Sequence, residues 1–230
     1  MRRKKSDDRL KGIRILYEDP FLLVIDKPAG MLTTHTWVAG RAAREAQLTA
    51  ANVLTDYVRK GQWKSKKQVY LVHRLDRETS GVMMFAKERA LAEKLRERWN
   101  ETTEKTYYAL VEGTLREDCG VFDSYLKEND DGYRVRSVKA ETPGAKRAIT
   151  EWRKLSENGG AATLVEVKLH SGRKNQIRVH FSEAGHPVVG DEKYGAAKAK
   201  RLFLHACRLA FVHPATGERL AFDSSPEFEV

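Results

Sequence analysis

KTYYALVEGTLREDCGVFDSYLKENDDGYRVRSVKAETPGAKRAITEWRKLSENGGAATLVEVKL, residues 105–169, is the stretch whose reading decides the architecture. Five runs within it, 105–112, 121–126, 133–138, 148–155 and 162–169, are rich in β-branched and aromatic residues and are separated by turns carrying Gly, Asp or Asn. They predict strands in succession. Downstream, Ile177 and Phe181 fall at helical spacing over 174–184, with Gly185 as the stop, and two last strands are predicted at 209–213 and 220–223. Upstream, short apolar runs at 13–16 and 22–25 flank the turn formers Asp19 and Pro20, and further strands are predicted at 69–72 and 82–86. Helices are predicted over 49–59, with Thr49 as N-cap, and over 88–99, where Leu91, Leu95 and Trp99 share a face. Residues 33–48 read as a loop with a basic helical fragment. Strands in series with a few inserted helices indicate an α+β class with a mixed, largely antiparallel sheet and flanking helices. No repeat and no Pro/Gly/Ser linker divides the chain, so residues 1–12 are read as a flexible basic arm and 13–230 as one domain.

Composition narrows the partners. The 230 residues include 42 Lys plus Arg against 32 Asp plus Glu, a formal charge of +10. Such an excess favours a polyanion, because each phosphate neutralised by a cation releases condensed counterions. No apolar run approaches the ~18 residues of a membrane span, and the charged N-terminus lacks the apolar core of a secretory signal. A cytoplasmic protein with no membrane partner is expected. The two cysteines, Cys119 and Cys207, form no CxxC pair and are expected to be buried thiols. No GxxxxGK[ST] or GxGxxG is present, so no nucleotide cofactor is expected. The spacing of His170, His180 and His186 fits no common zinc pattern, and no metal is expected.

Two segments carry more chemistry than turns require. HRLDRETSG, residues 73–81, packs charged and hydroxyl groups between two apolar strands, with Asp76 standing among Arg74 and Arg77. SGRKNQIRVHFSEAGHPVVGDEKYG, residues 171–195, sets Arg173, Lys174 and Asn175 at the start of a helix that carries Arg178. Backbone N–H groups at a helix start, with cations beside them, suit phosphate. Arg178 follows the inward Ile177 and is read at the border of the buried face.

Read with LLVIDKPAGM at 22–31, these segments resemble the RluA-type family of RNA pseudouridine synthases. The motifs are DKPAG (26–30), HRLDxxTSG (73–81) and GRxxQIRxHxxxxGxPxxGDxxYG (172–195), joined by KTYYA (105–109) and RLFLHA (201–206). The resemblance implies a pseudouridine synthase catalytic fold, in the form without an S4 domain. It makes Asp76 the catalytic aspartate, Tyr107 the ring that packs on the base, and Arg178 the basic partner of the aspartate. Leu204 becomes a wall of the uracil pocket, with Arg74 beside it. Lys27, His73, Lys105, Arg173, Lys174 and Asn175 are implied on RNA, and Lys64, Lys66, Lys67 and the arm at 2–5 are further candidates for phosphate. The family usually has histidine where this chain has Asn175, an amide that cannot titrate near neutrality.

The implied reaction cleaves the C1′–N1 bond of a uridine, turns the uracil and rejoins it through C5, so product and substrate are isomers and no cofactor is required. The target nucleotide must leave its stack, at a cost of roughly a few kcal/mol offset by backbone contacts and new stacking. Asp76 acts on the sugar, as nucleophile at C1′ or by taking a C2′ proton. The implied substrate is structured RNA, ribosomal or transfer, and a monomer is expected. The alternative in another class is a non-catalytic RNA-binding or ribosome-assembly protein on the same fold; a base-removing enzyme comes third.

Overall fold

The computed structural model describes residues 10–36, 47–62, 64–130, 132–226 and 228. In chain order the first elements are β1 (Arg14–Glu18), β2 (Leu22–Lys27), α1 (Ala50–Arg59), β3 (Tyr70–Leu71), β4 (Ser80–Ala86), α2 (Arg89–Glu97) and α3 (Trp99–Thr102). Then come β5 (Thr103–Glu112), β6 (Cys119–Glu128), β7 (Val135–Val138), β8 (Lys146–Asn158) and β9 (Ala162–Leu169). The last are α4 (Gln176–Glu183), a single 3-10 turn at Glu192–Tyr194, β10 (Leu204–Val212) and β11 (Arg219–Asp223). The pairs β1–β2, β2–β4, β3–β4, β5–β9, β6–β7, β6–β8 and β8–β9 are antiparallel.

The chain divides into two compact units, one of residues 1–102 with 209–224, the other of 103–208 with 225–230. Each is visited twice by the chain, which is why no linker marks a boundary in the sequence.

In the first unit the strand order is β1-β2-β4-β10, with β3 on β4 and β11 on β10. Its inner strands LLVIDK and SGVMMFA are buried almost throughout, so they read as continuous apolar runs rather than alternating ones. Leu22, Val24, Val82, Met84, Leu209 and Phe211 form the core, closed by Ala92 and Leu95 of α2. The β1–β2 turn is built by Asp19, whose carboxylate accepts from the amides of Phe21 and Leu22 and from Nε2 of the buried His213. Thr49 caps α1 as predicted, its Oγ1 accepting from the Asn52 amide at 3.1 Å. Of the basic arm, residues 1–9 lie outside the described residues, as does most of the helical fragment anticipated within 33–48. Leu10 is buried and its carbonyl accepts from the Ile13 amide.

In the second unit the order is β10-β5-β9-β8-β6-β7. The 162–169 strand has the predicted bounds, and β10 begins five residues before the predicted start at 209. One face of this sheet takes α4, whose residues Gln176 to Phe181 are all buried. Phe122, Trp152, His180 and Phe181 make a ring cluster there, with centroids 5.2–6.1 Å apart. Cys119 corrects the expectation of two buried thiols: it opens β6 on the outward face and is exposed, while Cys207 is buried.

Candidate active site

In the first unit, the loop that carries Asp76 is held on both sides of that residue by the segment leaving β2. Gly30 donates its amide to the Arg77 carbonyl at 2.9 Å and accepts from Arg77 Nε at 3.1 Å. Its φ of 80° lets the chain turn back after Pro28 and Ala29 without steric strain. On the other side, Thr33 Oγ1 donates to the Leu75 carbonyl at 2.8 Å and lies 3.3 Å from the Leu75 amide. The Thr79 amide closes the turn on the Asp76 carbonyl at 3.2 Å. Leu75, Thr79 and Ser80 are buried, whereas Asp76 is half-buried and Arg74 and Arg77 are exposed. Buried neighbours thus fix the main chain while the carboxylate keeps a route to solvent.

Two expected RNA contacts in this unit have internal roles instead. Lys27 is wholly buried, and its ammonium donates to the carbonyls of Pro28, Met31 and Arg77 at 2.9, 2.8 and 3.2 Å. An ammonium committed to three carbonyls inside the protein stitches β2 to the Asp76 loop and is not offered to phosphate. His73 accepts the Met84 amide at Nε2, 3.0 Å away, and stacks on Trp99 with centroids 4.4 Å apart. That acceptor bond puts the proton of the neutral ring on Nδ1.

In the second unit, Arg178 is buried, not at the border of the helix face. It forms a two-pronged pair with the buried Asp191, Nε to Oδ2 at 2.6 Å and the second bond to Oδ1 at 2.7 Å. Its guanidinium also lies 5.1 Å from the centroid of the Tyr194 ring. Gly190 sets up Asp191: a Cβ there would stand 2.0 Å from the Arg201 carbonyl oxygen. Asp191 was not singled out by its sequence context, although the GDxxYG spacing in which it lies is a usable signal.

The loop before α4 is fastened by Gln176. Its Oε1 accepts from Ser171 Oγ and the Arg173 amide, and its Nε2 donates to the Ile149 carbonyl and Thr150 Oγ1, all at 2.8–3.0 Å. Thr150 also meets His180 Nδ1 at 2.8 Å, and Ser124 meets Nε2 at 3.0 Å. Burial pushes the His180 pKa down, and the neutral ring serves as one donor and one acceptor between two hydroxyls. Asn175 occupies the left-handed region at φ 54°, where asparagine is among the few tolerated side chains. It is buried, and its Oδ1 accepts from Lys193 Nζ at 3.2 Å and Tyr194 OH at 3.1 Å. This tie to the neighbouring loop replaces the anticipated phosphate contact. Lys174 is exposed and pairs with Glu128 and the Gly132 carbonyl; Arg173 is half-buried, with Nε on the Arg147 carbonyl.

Tyr107 and Lys105 lie two residues apart on one face of β5, both nine-tenths buried, and Tyr107 pairs with Val167. Burial, reinforced by the nearby charge of Arg173, pushes the Lys105 pKa down to about 8. Leu204 is buried at the start of β10. Among the described residues, no group of three His, Cys, Asp or Glu side chains gathers to hold a metal ion. The first unit thus holds Asp76 and Arg74, and the second holds Tyr107, Lys105, Arg178, Arg173, Lys174, Asn175 and Leu204.

The sequence profile of the RNA pseudouridylate synthase family matches residues 21–183. The chain is 36% identical to the ribosomal large subunit pseudouridine synthase C of Vibrio cholerae, covering 90% of this chain and 63% of that protein. It is 34% identical to the tRNA pseudouridine synthase C of Vibrio parahaemolyticus, covering 93% and 90%. It thus spans just under two thirds of the ribosomal relative. Among solved structures, human RNA pseudouridylate synthase domain containing 4 superposes with a TM-score of 0.72 at 28% identity, covering 93% of this chain and 88% of that one. The loop around Asp76, the Arg178 helix and their supports lie in a chain that belongs to the RluA-type RNA pseudouridylate synthase family.

Proposed function

We propose that this protein isomerises uridine to pseudouridine in structured RNA, ribosomal or transfer, with the Asp76 carboxylate as the reacting group. The observation that carries this reading is the double fastening of the Asp76 loop. Leu75 and Arg77 are each bonded to the 27–33 segment, so the carboxylate between them has a fixed origin. Fixed geometry is what an attack on C1′, or removal of a C2′ proton, demands.

In this reading Arg178 is the basic partner of Asp76, held ready by Asp191. Tyr107 offers its ring to the extruded base, Leu204 walls the uracil, and Arg74, Arg173 and Lys174 meet RNA phosphate. Lys105 supplies a buried positive charge beside Tyr107. The C1′–N1 bond breaks with its electron pair going to N1, the uracil turns within the site, C5 bonds to C1′, the C5 proton passes to solvent and N1 takes up a proton, so the product remains an isomer of the substrate.

RNA tritiated at uridine C5 tests the proposal, since forming the C5 bond expels the label. Label appears in water with the native protein and stays in RNA with Asp76→Asn, whose RNA binding is retained. Turnover by Asp76→Asn overturns the assignment. Free uracil among the products indicates base removal, and RNA binding with no release by the native chain indicates a non-catalytic platform.

A further inference from the structure

The β6–β7 hairpin has two faces. Leu126 and Val135 are buried on one. On the other, Lys127 and Arg136 stand directly opposite each other in the antiparallel register. Arg134 lies two residues before Arg136, hence on the same face, and its carbonyl accepts from the Asn129 amide as the ladder continues toward the turn. Arg134 and Arg136 are exposed and Lys127 is half-buried. The next rung sets Tyr125 between Val138 and Arg147.

Like charges directly opposite on a sheet face cost stability, because their Cβ atoms are only about 4.5–5.5 Å apart. On the neighbouring strands such cations are neutralised: Arg147 by Asp123 and Arg153 by Glu166. Among the described residues, Lys127, Arg134 and Arg136 make no ion pair. Three unneutralised cations on adjoining positions, with an aromatic ring on the next rung, make a rigid site for successive phosphates of a polyanion. The partner that supplies them, given the family of this chain, is RNA.

We infer that Lys127, Arg134 and Arg136 form an RNA phosphate contact, a foothold on the substrate apart from the residues already placed at the target nucleotide. The inference rests on the RNA-modifying reading above. It predicts that these side chains govern affinity and leave the chemical step alone.

The test uses the full chain with Lys127→Gln, Arg134→Gln and Arg136→Gln combined, against unfractionated ribosomal RNA and transfer RNA over a series of KCl concentrations. Affinity falls on the order of tenfold at low salt and the slope of log K against log salt becomes shallower by about 2 to 3. The thermal midpoint stays level or rises, because repulsion has been removed. Tritium release from saturating RNA keeps its native rate. An unchanged salt slope overturns the inference. So does increased self-association of the variant at unchanged RNA affinity, which would make the charges protection for the β7 strand. Native protein that shows the slope but releases no tritium refutes the isomerase reading and leaves the foothold standing.

Discussion

The Asp76 loop of the first unit and the 171–178 segment of the second are fixed by opposite means. The Asp76 loop is tied through main-chain groups: Gly30 to Arg77, Thr33 to Leu75, and the Lys27 ammonium to the Arg77 carbonyl. The 171–178 segment is tied through side chains: Gln176 with four partners, Asn175 with two, and Arg178 locked on Asp191. The proposed reacting carboxylate thus sits on a loop held by main-chain bonds, whereas its proposed basic partner is itself half of a buried ion pair. Replacing the first separates activity from stability; replacing the second does not.

Asp76→Asn gives the largest effect and the cleanest break of the comparison. Tritium release falls roughly 10⁴-fold or more, as for other groups that act directly in a covalent step, while the thermal midpoint moves little. A variant that unfolds would show that the side chain supports its loop after all.

Arg178→Ala loses both. It leaves the Asp191 carboxylate buried without its two-pronged partner, and unfolding in urea shows a loss of about 3–5 kcal/mol. Native-like stability in this variant would refute a structural duty for the pair.

Lys105 adds a pH axis to the second unit. Its folded pKa of about 8 lies below the ordinary lysine value of 10.5. Between these pH values the unfolded chain holds the proton that the folded chain has given up, so stability rises with pH across that window. Below the window the folded protein carries the full cost of a buried ammonium, on the order of 3 kcal/mol. Lys105→Met flattens the stability profile between pH 8 and 10.5 and raises stability at neutral pH. An unaltered profile places the ammonium in contact with water.

Gln176→Leu sharpens the comparison with the smallest change. It strands the Arg173 amide and the buried Ser171 hydroxyl, and stability falls by about 2 kcal/mol. Faster amide hydrogen exchange at residues 171–175, with none at 73–79, is the measurement that separates the two fastenings.

Much of this was legible without coordinates. Runs of β-branched and aromatic residues between Gly, Asp and Asn turns announced the strands of the second unit, Thr49 its helix, and Asp19-Pro20 its turn. The motifs supplied Asp76, Tyr107 and Arg178 as the residues of the proposed chemistry. The errors share a physical origin. Lys27, His73 and Asn175 are polar residues in basic, motif-rich segments, and a basic segment suggests contact with phosphate. Their hydrogen bonds run instead to carbonyls, an amide and a tyrosine hydroxyl, some of them 11 to 50 residues away. Asp191 was passed over for the converse reason, since its partner lies 13 residues back on a helix.

The order of strands and helices, the class of the fold and the motif residues follow from the sequence itself, because periodicity, caps and turns are local preferences written in neighbouring side chains. The duty of each charged group was settled only by the folded chain. A lysine or arginine acts on what surrounds it once water has been removed, and the deciding partners, the Arg77 carbonyl for Lys27 and the Asp191 carboxylate for Arg178, are brought in from 50 and 13 residues away.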